Sequence, residues 1–347
     1  MSDDYALEVD HLAVEFDTYG GIVQAVRDVS FKLRRGTTLA IVGESGCGKS
    51  VTVQSLMGLI PMPPGRITRG SASLGGDELL GISPQALNAI RGKRVGMIFQ
   101  DPMSALNPTM TVGRQIAETL IVHRKLSGTA AREEVLRLLH LVQIPEPHKR
   151  MAQYPFEFSG GMLQRAMIAM SLACQPEVLI ADEPTTALDV TIQAQILLLL
   201  RELQRTQGLS IILITHDLAV VARMAHDVAV MYAGQIVESG SVDDIFYRSA
   251  HPYTLGLRGA MPGNDPDKKA LRVIPGSPPD LFAPPPGCAF ADRCEYAMQL
   301  CHRQPPPPNF GTAHQSLCWL HHAQAPASPV TGMLQVAATQ HSPEGAC

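Results

Sequence analysis

The 347-residue sequence predicts an α/β fold with a largely parallel core sheet. Three observations lead there. Short apolar runs at Thr38–Val42, Glu177–Asp182 and Ser210–Thr215 have the length of buried strands and alternate with helical patterns. A glycine-rich stretch, Gly43–Ser50, lies between the first of these runs and a helical segment. Gln100, Asp182 and His216 all fall at the carboxyl ends of predicted strands, where open α/β sheets bind ligands.

In chain order, residues 5–35 read as strands, with alternation clearest from Val26 to Leu33. Arg35-Gly36 turns into the Thr38–Val42 strand. Val51–Leu59 is apolar at helical spacing. The Pro- and Gly-rich stretch Pro61–Gly70 predicts a loop, and Arg94–Phe99 predicts a strand ending at Gln100-Asp101-Pro102. From Thr111 to Ala173 the pattern becomes helical. Val112–Leu126 is one helix and Ala130–Val142 another, the latter with Val135, Leu138, Leu139 and Val142 on one face. Pro145 and Pro147 interrupt it, and Ser159 is placed to cap the run that ends at Ala173. Ile192–Gln207 predicts a helix, and Ala229–Glu238 a hairpin about Ala233-Gly234. Beyond Gly263 the composition turns proline-rich, four cysteines follow, and the small, polar tail from Ala323 predicts disorder.

Composition narrows the function. A hydrophobic content of 45% supports a large core, and a net charge of -4 gives no bulk electrostatic case for nucleic acid. The longest leucine-rich run, Ile196–Leu200, is far short of the roughly 18 residues of a membrane span. The acidic N-terminus has no signal-peptide pattern, which predicts an intracellular protein whose seven cysteines are thiols or metal ligands.

Gly43-Glu44-Ser45-Gly46-Cys47-Gly48-Lys49-Ser50 fits the phosphate-binding loop G-x-x-x-x-G-K-[ST], in the strand–loop–helix setting that the motif requires. Its backbone N–H groups and the helix N-terminus suit phosphate oxygens. Lys49 is placed to reach the β- and γ-phosphates and Ser50 to ligate Mg²⁺. At the other strand ends, Asp182 suits Mg²⁺, and Glu183 a water aimed at the γ-phosphate. His216 suits the γ-phosphate and that water, and Gln100 the metal or the water. Ser159-Gly160-Gly161, ahead of a helix, is a second anion site. One phosphate group does not need two such loops from one chain, so this one is expected to serve the nucleotide of another subunit.

In this order these motifs, with Phe158, Met162 and Ala187-Leu188-Asp189, resemble the ATP-binding subunit of an ABC transporter across roughly residues 5–262. The resemblance implies a P-loop NTPase core: a mixed sheet with an antiparallel β subdomain, plus a helical subdomain at about 105–173. It implies a head-to-tail pair of subunits with ATP clamped between the phosphate loop of one and Ser159–Gly161 of the other. Glu183 would be the general base, His216 the γ-phosphate sensor and Asp189 part of the interface. Tyr19, with Phe16 as the alternative, would stack on adenine. The family signature Leu-Ser-Gly-Gly-Gln departs here at Phe158 and Met162.

Gln164-Arg165, Leu106-Asn107-Pro108, His251-Pro252-Tyr253-Thr254 and the cysteine-bearing tail look like the dipeptide/oligopeptide importer branch. That likeness implies import of peptides or a related small solute. It also implies two membrane permease subunits, a second ATPase that is a paralogue, an external binding protein acting indirectly, and no nucleic acid partner. The chain would sit peripherally on the cytoplasmic face of the inner membrane. The competing reading is a soluble ABC-type ATPase acting on ribosomes or DNA. One phosphate loop and no long heptad insertion weigh against it.

The extension at 263–322 carries Cys288, Cys294, Cys301 and Cys318. These spacings lack the tight pair common in structural zinc sites and favour a [4Fe–4S] cluster over zinc or unliganded thiols. Similar tails in peptide importers are associated with such a cluster. Residues 323–347 complete the expected division.

Overall fold

The structure, a computed structural model, describes residues 4–186, 188–261, 273–307 and 313–334. The first half of the chain contains β1 (Tyr5–Thr18), β2 (Gly21–Arg34), β3 (Thr38–Val42), α1 (Lys49–Leu56), β4 (Gly65–Leu74), β5 (Asp77–Glu78), α2 (Pro84–Ile90), β6 (Val95–Ile98), α3 (Pro102–Ala105), α4 (Val112–Arg124), α5 (Gly128–Leu141), α6 (Pro147–Arg150) and α7 (Gly160–Leu172). The second half contains β7 (Val178–Asp182), α8 (Val190–Gln207), β8 (Ser210–Thr215), α9 (Leu218–Met224), β9 (Asp227–Tyr232), β10 (Gln235–Ser241), α10 (Val242–Tyr247), α11 (Pro252–Gly259), α12 (Gln299–Arg303) and β11 (Gln315–Ser316). The predicted alternation of strands and helices holds, and β3 and β8 match their expected bounds residue for residue. Two compact units form.

The first unit comprises the chain up to Glu8, Lys32–Thr38 and Ala72–Thr215. Its centre is the parallel run β6–β7–β8, with Val95 beside Val178 and Val178 beside Ser210. Every residue of β7 and β8 is buried, as expected of parallel strands covered on both faces. Helix α7, with nine of its residues buried, packs against β6, α4 and α5. Arg165 of α7 ties this layer together, donating to the Val142 carbonyl at 2.7 Å and to Gln195 of α8 at 2.9 Å.

The second unit comprises Val9–Phe31, Leu39–Ser71 and the chain from His216 onward. Here β3 pairs with β9 in parallel, and β9 turns back antiparallel into β10. Ala233 and Gly234 both take positive φ, 48° and 79°, as a two-residue hairpin turn requires. Strand β11 adds to the outer edge of β10. Val42, Tyr232 and Tyr253 share one core with Phe290, and Cys288 and Cys294 pack against it, so the cysteine-bearing extension is folded into this unit.

Two expectations change. Pro61–Gly70 reads as a loop in the sequence, yet β4 begins at Gly65. Gly65 lies against the Phe16 ring and Gly70 (φ 116°) against the Leu12 backbone, so these glycines allow close packing rather than marking a turn. The composition predicts disorder from Ala323, yet Val330 is fully buried against Cys318 and Leu320, an apolar anchor inside a polar stretch. The expected boundary at 262/263 and the tail residues 335–347 lie outside the described residues, as do Ala187 and Cys347.

Candidate functional site

The phosphate loop lies in the second unit, between the carboxyl end of β3 and α1. Gly48 caps α1 with φ 103°, and Lys49 is the first residue of the helix. The Lys49 side chain is buried, and its ammonium donates to the carbonyls of Gly43 and Glu44, each at 2.9 Å. The hairpin turn supports the loop from beneath: Gly234 donates to the Cys47 carbonyl at 3.0 Å, and Arg27 of β2 donates to the Gly234 carbonyl at 2.8 Å. Cys47 is 5% exposed, so within the loop it is buried, and burial pushes its thiol pKa up. Ser45, Gly46 and Ser50 complete the loop. His216 is exposed directly after β8, next to Asp217, which caps α9 through Ala219 at 2.8 Å. Tyr19 is fully exposed on the turn between β1 and β2, whereas Phe16 packs against Gly65.

The first unit gathers the acidic end of β7. Asp182 is buried at the strand terminus, and Glu183 follows with φ 47°. A non-glycine residue held in that region is strained, a feature that clusters at functional positions. Glu183 Oε2 accepts hydrogen bonds from Gln100 Nε2 at 3.1 Å and Thr186 Oγ1 at 2.8 Å. Gln100 and Glu183, 83 positions apart, are therefore brought together. Thr186 does not stand out in the sequence, because a threonine three residues past an acid reads as an ordinary turn residue.

The same unit carries Ser159-Gly160-Gly161, expected from the sequence as a second anion site. Ser159 accepts from the Met162 N–H at 3.4 Å and so caps α7 as expected. Gly160 is exposed. At Gly161 a Cβ would lie 2.8 Å from Ile192 of α8, so only glycine lets the first turn of α7 approach α8. Asp189 caps α8, accepting from Thr191 at 3.0 Å and Ile192 at 2.9 Å.

Cys288, Cys294, Cys301 and Cys318 line one small cavity with His251 and Phe290. Burial pushes Cys288 up to about 11 and raises Cys294 and Cys318 as well. Soft thiols from four separate positions suit a cluster or zinc by donor type. As they stand, however, no three His, Cys, Asp or Glu side chains among the described residues form a group able to hold a metal ion. The expectation of a [4Fe–4S] centre, or of zinc, is therefore not supported by the arrangement, because convergence on a cavity falls short of a ligating set.

The phosphate loop at a strand end and the strand-terminal Asp-Glu pair define a P-loop ATPase. An ABC transporter family profile matches residues 26–186, and a profile for the oligopeptide/dipeptide transporter C-terminal region matches residues 237–301. A dipeptide transport ATP-binding protein, DppD of Bacillus subtilis (strain 168), is 55% identical over 94% of this chain and 98% of its own length. The oligopeptide transport ATP-binding proteins OppD of B. subtilis and of Salmonella typhimurium are 57% and 51% identical over 92% and 90% of the chain, and 90% and 93% of their own lengths. The dimeric structure of MJ0796, a bacterial ABC transporter cassette, aligns with TM-score 0.62 at 25% identity, over 68% of this chain and 98% of that one. The chain belongs to the ATP-binding subunits of ABC transporters, in the branch that carries the oligopeptide/dipeptide transporter C-terminal region. It is an ATPase whose hydrolysis is coupled to transport. Among the described residues no helix is long and apolar enough to cross a membrane.

Proposed function

We propose that this chain hydrolyses ATP to power import of dipeptides or oligopeptides through two separate membrane permease subunits, working from the cytoplasmic face of the inner membrane. A second ATPase subunit, a paralogue, pairs with it head to tail, and an external binding protein delivers the substrate. The observation that carries this reading is the continuity of the two regions. The strand that feeds the phosphate loop and the peptide-transporter C-terminal region share one core, and relatives matched over nearly their full length are peptide-transport subunits.

In this reading the loop amides of Gly43–Ser50 and the Lys49 ammonium bind the β- and γ-phosphates. Ser50, Gln100 and Asp182 are the oxygen donors that would hold Mg²⁺, which when bound would supply positive charge against the phosphates. Glu183 accepts a proton from the attacking water. The donors from Gln100 and Thr186 hold one of its carboxylate oxygens in place. His216 hydrogen-bonds the γ-phosphate, and Tyr19 stacks on adenine. Ser159, Gly160 and Gly161 present the start of α7 to the nucleotide of the paired subunit, and Asp189 holds the neighbouring helix start at that interface. The donor type and loose spacing of Cys288, Cys294, Cys301 and Cys318, not their present arrangement, are what support a [4Fe–4S] cluster as the group that would fasten the extension when bound.

The test is Glu183→Gln in the transporter reconstituted in liposomes with its permeases and binding protein. ATP binding is expected to persist, while hydrolysis and peptide uptake both fall by at least about a hundredfold, the scale of a lost general base. Unchanged turnover would remove Glu183 from the role. Hydrolysis that no peptide stimulates would overturn the peptide reading.

A further inference from the structure

The second residue of the phosphate loop is gripped by Tyr253 of α11 and by Arg293 of the C-terminal extension. The Glu44 N–H donates to the buried Tyr253 hydroxyl at 2.9 Å. The Glu44 carboxylate accepts a two-pronged pair from Arg293: Nη1 to Oε2 at 2.8 Å and Nη2 to Oε1 at 3.0 Å. The Arg293 side chain is 6% exposed and that of Glu44 25%. Arg293 is itself fixed. Its Nε donates to the Pro275 carbonyl at 2.8 Å, its Nη1 reaches the Tyr232 hydroxyl at 3.2 Å, and its guanidinium stands over the rings of Tyr232 and Phe290. Burial works against its charge, yet the hydrogen bonds to Glu44 and Tyr232 outweigh it and hold the pKa above its ordinary value.

Stability alone does not account for this pair, because two charges withdrawn from water gain little over apolar packing. Its position does. Glu44 occupies a variable place in the phosphate-loop pattern, and a free carboxylate there would repel a triphosphate. A planar guanidinium that meets both carboxylate oxygens cancels that charge and sets the direction of the side chain.

We propose that Arg293 is a positioning residue of the ATP site: paired with Glu44, it neutralises an acid inside the phosphate loop and fixes the loop's first turn, so that the C-terminal extension sets the affinity for ATP. This rests on the reading that Gly43–Ser50 binds the phosphates. Arg293 acts on the loop that holds the phosphates, so its effect falls on binding and not on the chemical step.

The experiment measures the ATP KM and kcat of the assembled, liposome-reconstituted transporter carrying Arg293→Ala, Arg293→Lys, Glu44→Gln, the Glu44→Gln/Arg293→Ala pair or Lys49→Ala in this subunit. Arg293→Ala is expected to raise KM about tenfold, a change of about 1.4 kcal/mol. Its kcat should change by less than about threefold on the same scale. Arg293→Lys should lie between it and the parent, because the charge remains without the fork. Adding Glu44→Gln should return KM to within about threefold of the parent, because the stranded acid is gone. An unchanged KM in Arg293→Ala, no recovery in the pair, or a kcat loss as large as the KM change would overturn the proposal. Should Arg293→Ala fail to assemble, Arg293→Lys is read by the same criteria. Lys49→Ala separates the two levels: normal ATP binding there defeats the phosphate-loop assignment, whereas lost binding with an unaffected Arg293→Ala defeats this inference alone.

Discussion

Substituting alanine at Gly48 or at Gly46 separates two demands that a phosphate loop makes on its glycines. Both residues have positive φ, 103° and 79°, so each substitution places an L side chain where it costs about 1–2 kcal/mol. Their surroundings differ. A Cβ on Gly48 would lie 2.4 Å from the Ala25 carbonyl oxygen and 2.9 Å from the Met231 methyl, while one on Gly46 would meet nothing within 4 Å. The methyl group can swing away, but the Ala25 oxygen is backbone of β2 and can move only with the strand. That overpacking adds about 1–3 kcal/mol, for a total of about 2–5 kcal/mol at Gly48 against about 1–2 kcal/mol at Gly46. At about 2 °C per kcal/mol for a chain of this size, Gly48→Ala should melt about 4–10 °C lower and Gly46→Ala about 2–4 °C lower. The cheapest relief at Gly48 is to lift the loop off β2, which displaces the amides beside Lys49. Titration with a fluorescent ATP analogue should then show at least about tenfold weaker binding for Gly48→Ala, and less than about threefold for Gly46→Ala. Equal losses at the two sites would refute the reasoning, because the difference between them rests on Ala25 alone.

Charge and metal content supply two more tests. Glu134 accepts from Arg137, its strongest partner, at 2.8 Å and from Arg124 of α4 at 2.8 Å; together they hold its carboxyl at about 2 against an ordinary 4.5, although burial opposes this. A carboxyl depressed in the folded state stabilises it above pH 4.5 and loses that contribution as pH falls towards 2. With Arg137 half exposed the contribution is discounted to about 1–2 kcal/mol. Glu134→Gln should therefore lower the melting temperature near pH 7, and the gap to the parent should narrow from about pH 5 to about pH 3; a gap independent of pH would refute the assignment. For the cysteine cavity, protein purified without oxygen should absorb near 400 nm and contain iron and sulfide in cluster proportion. A colourless protein carrying one zinc, or no metal, would remove the cluster from the proposed function.

The strands were the most legible part of the sequence, for a physical reason. β3, β7 and β8 are buried on both faces and so read as unbroken apolar runs. The phosphate loop was legible because its glycines and lysine are required by geometry at fixed spacing. β4 was not, since Gly65 and Gly70 look like punctuation until the partners pressed against them are known. Nor were α9, α10 and α11, six to eight residues each, too short for a helical period to stand out. The Glu183 site was half legible: the acid at a strand end was visible, its donors Gln100 and Thr186 only in part. The grip of Arg293 on Glu44 left no trace, because it joins residues 249 positions apart that match no local pattern.

The C-terminal extension completes the second unit and is not a module hung on it. Glu238 of β10 is 1% exposed, and an isolated acid buried to that degree would be costly. Its oxygens take hydrogen bonds from the N–H groups of Ala250 and His251, at 2.7 and 2.9 Å, and from the His314 ring at 2.8 Å. His251 caps α11 by accepting from the Tyr253 N–H at 3.1 Å, and Tyr253 then reaches the backbone of Glu44. The His-Pro-Tyr turn thereby converts satisfaction of one buried acid into placement of one tyrosine hydroxyl under the phosphate loop. Removing the chain beyond residue 273 would take away His314 and Arg293 together. One acid would lose a partner in the core and another would lose its partner in the loop, so the Gly43–Ser50 loop is held by residues far outside the motif that announces it.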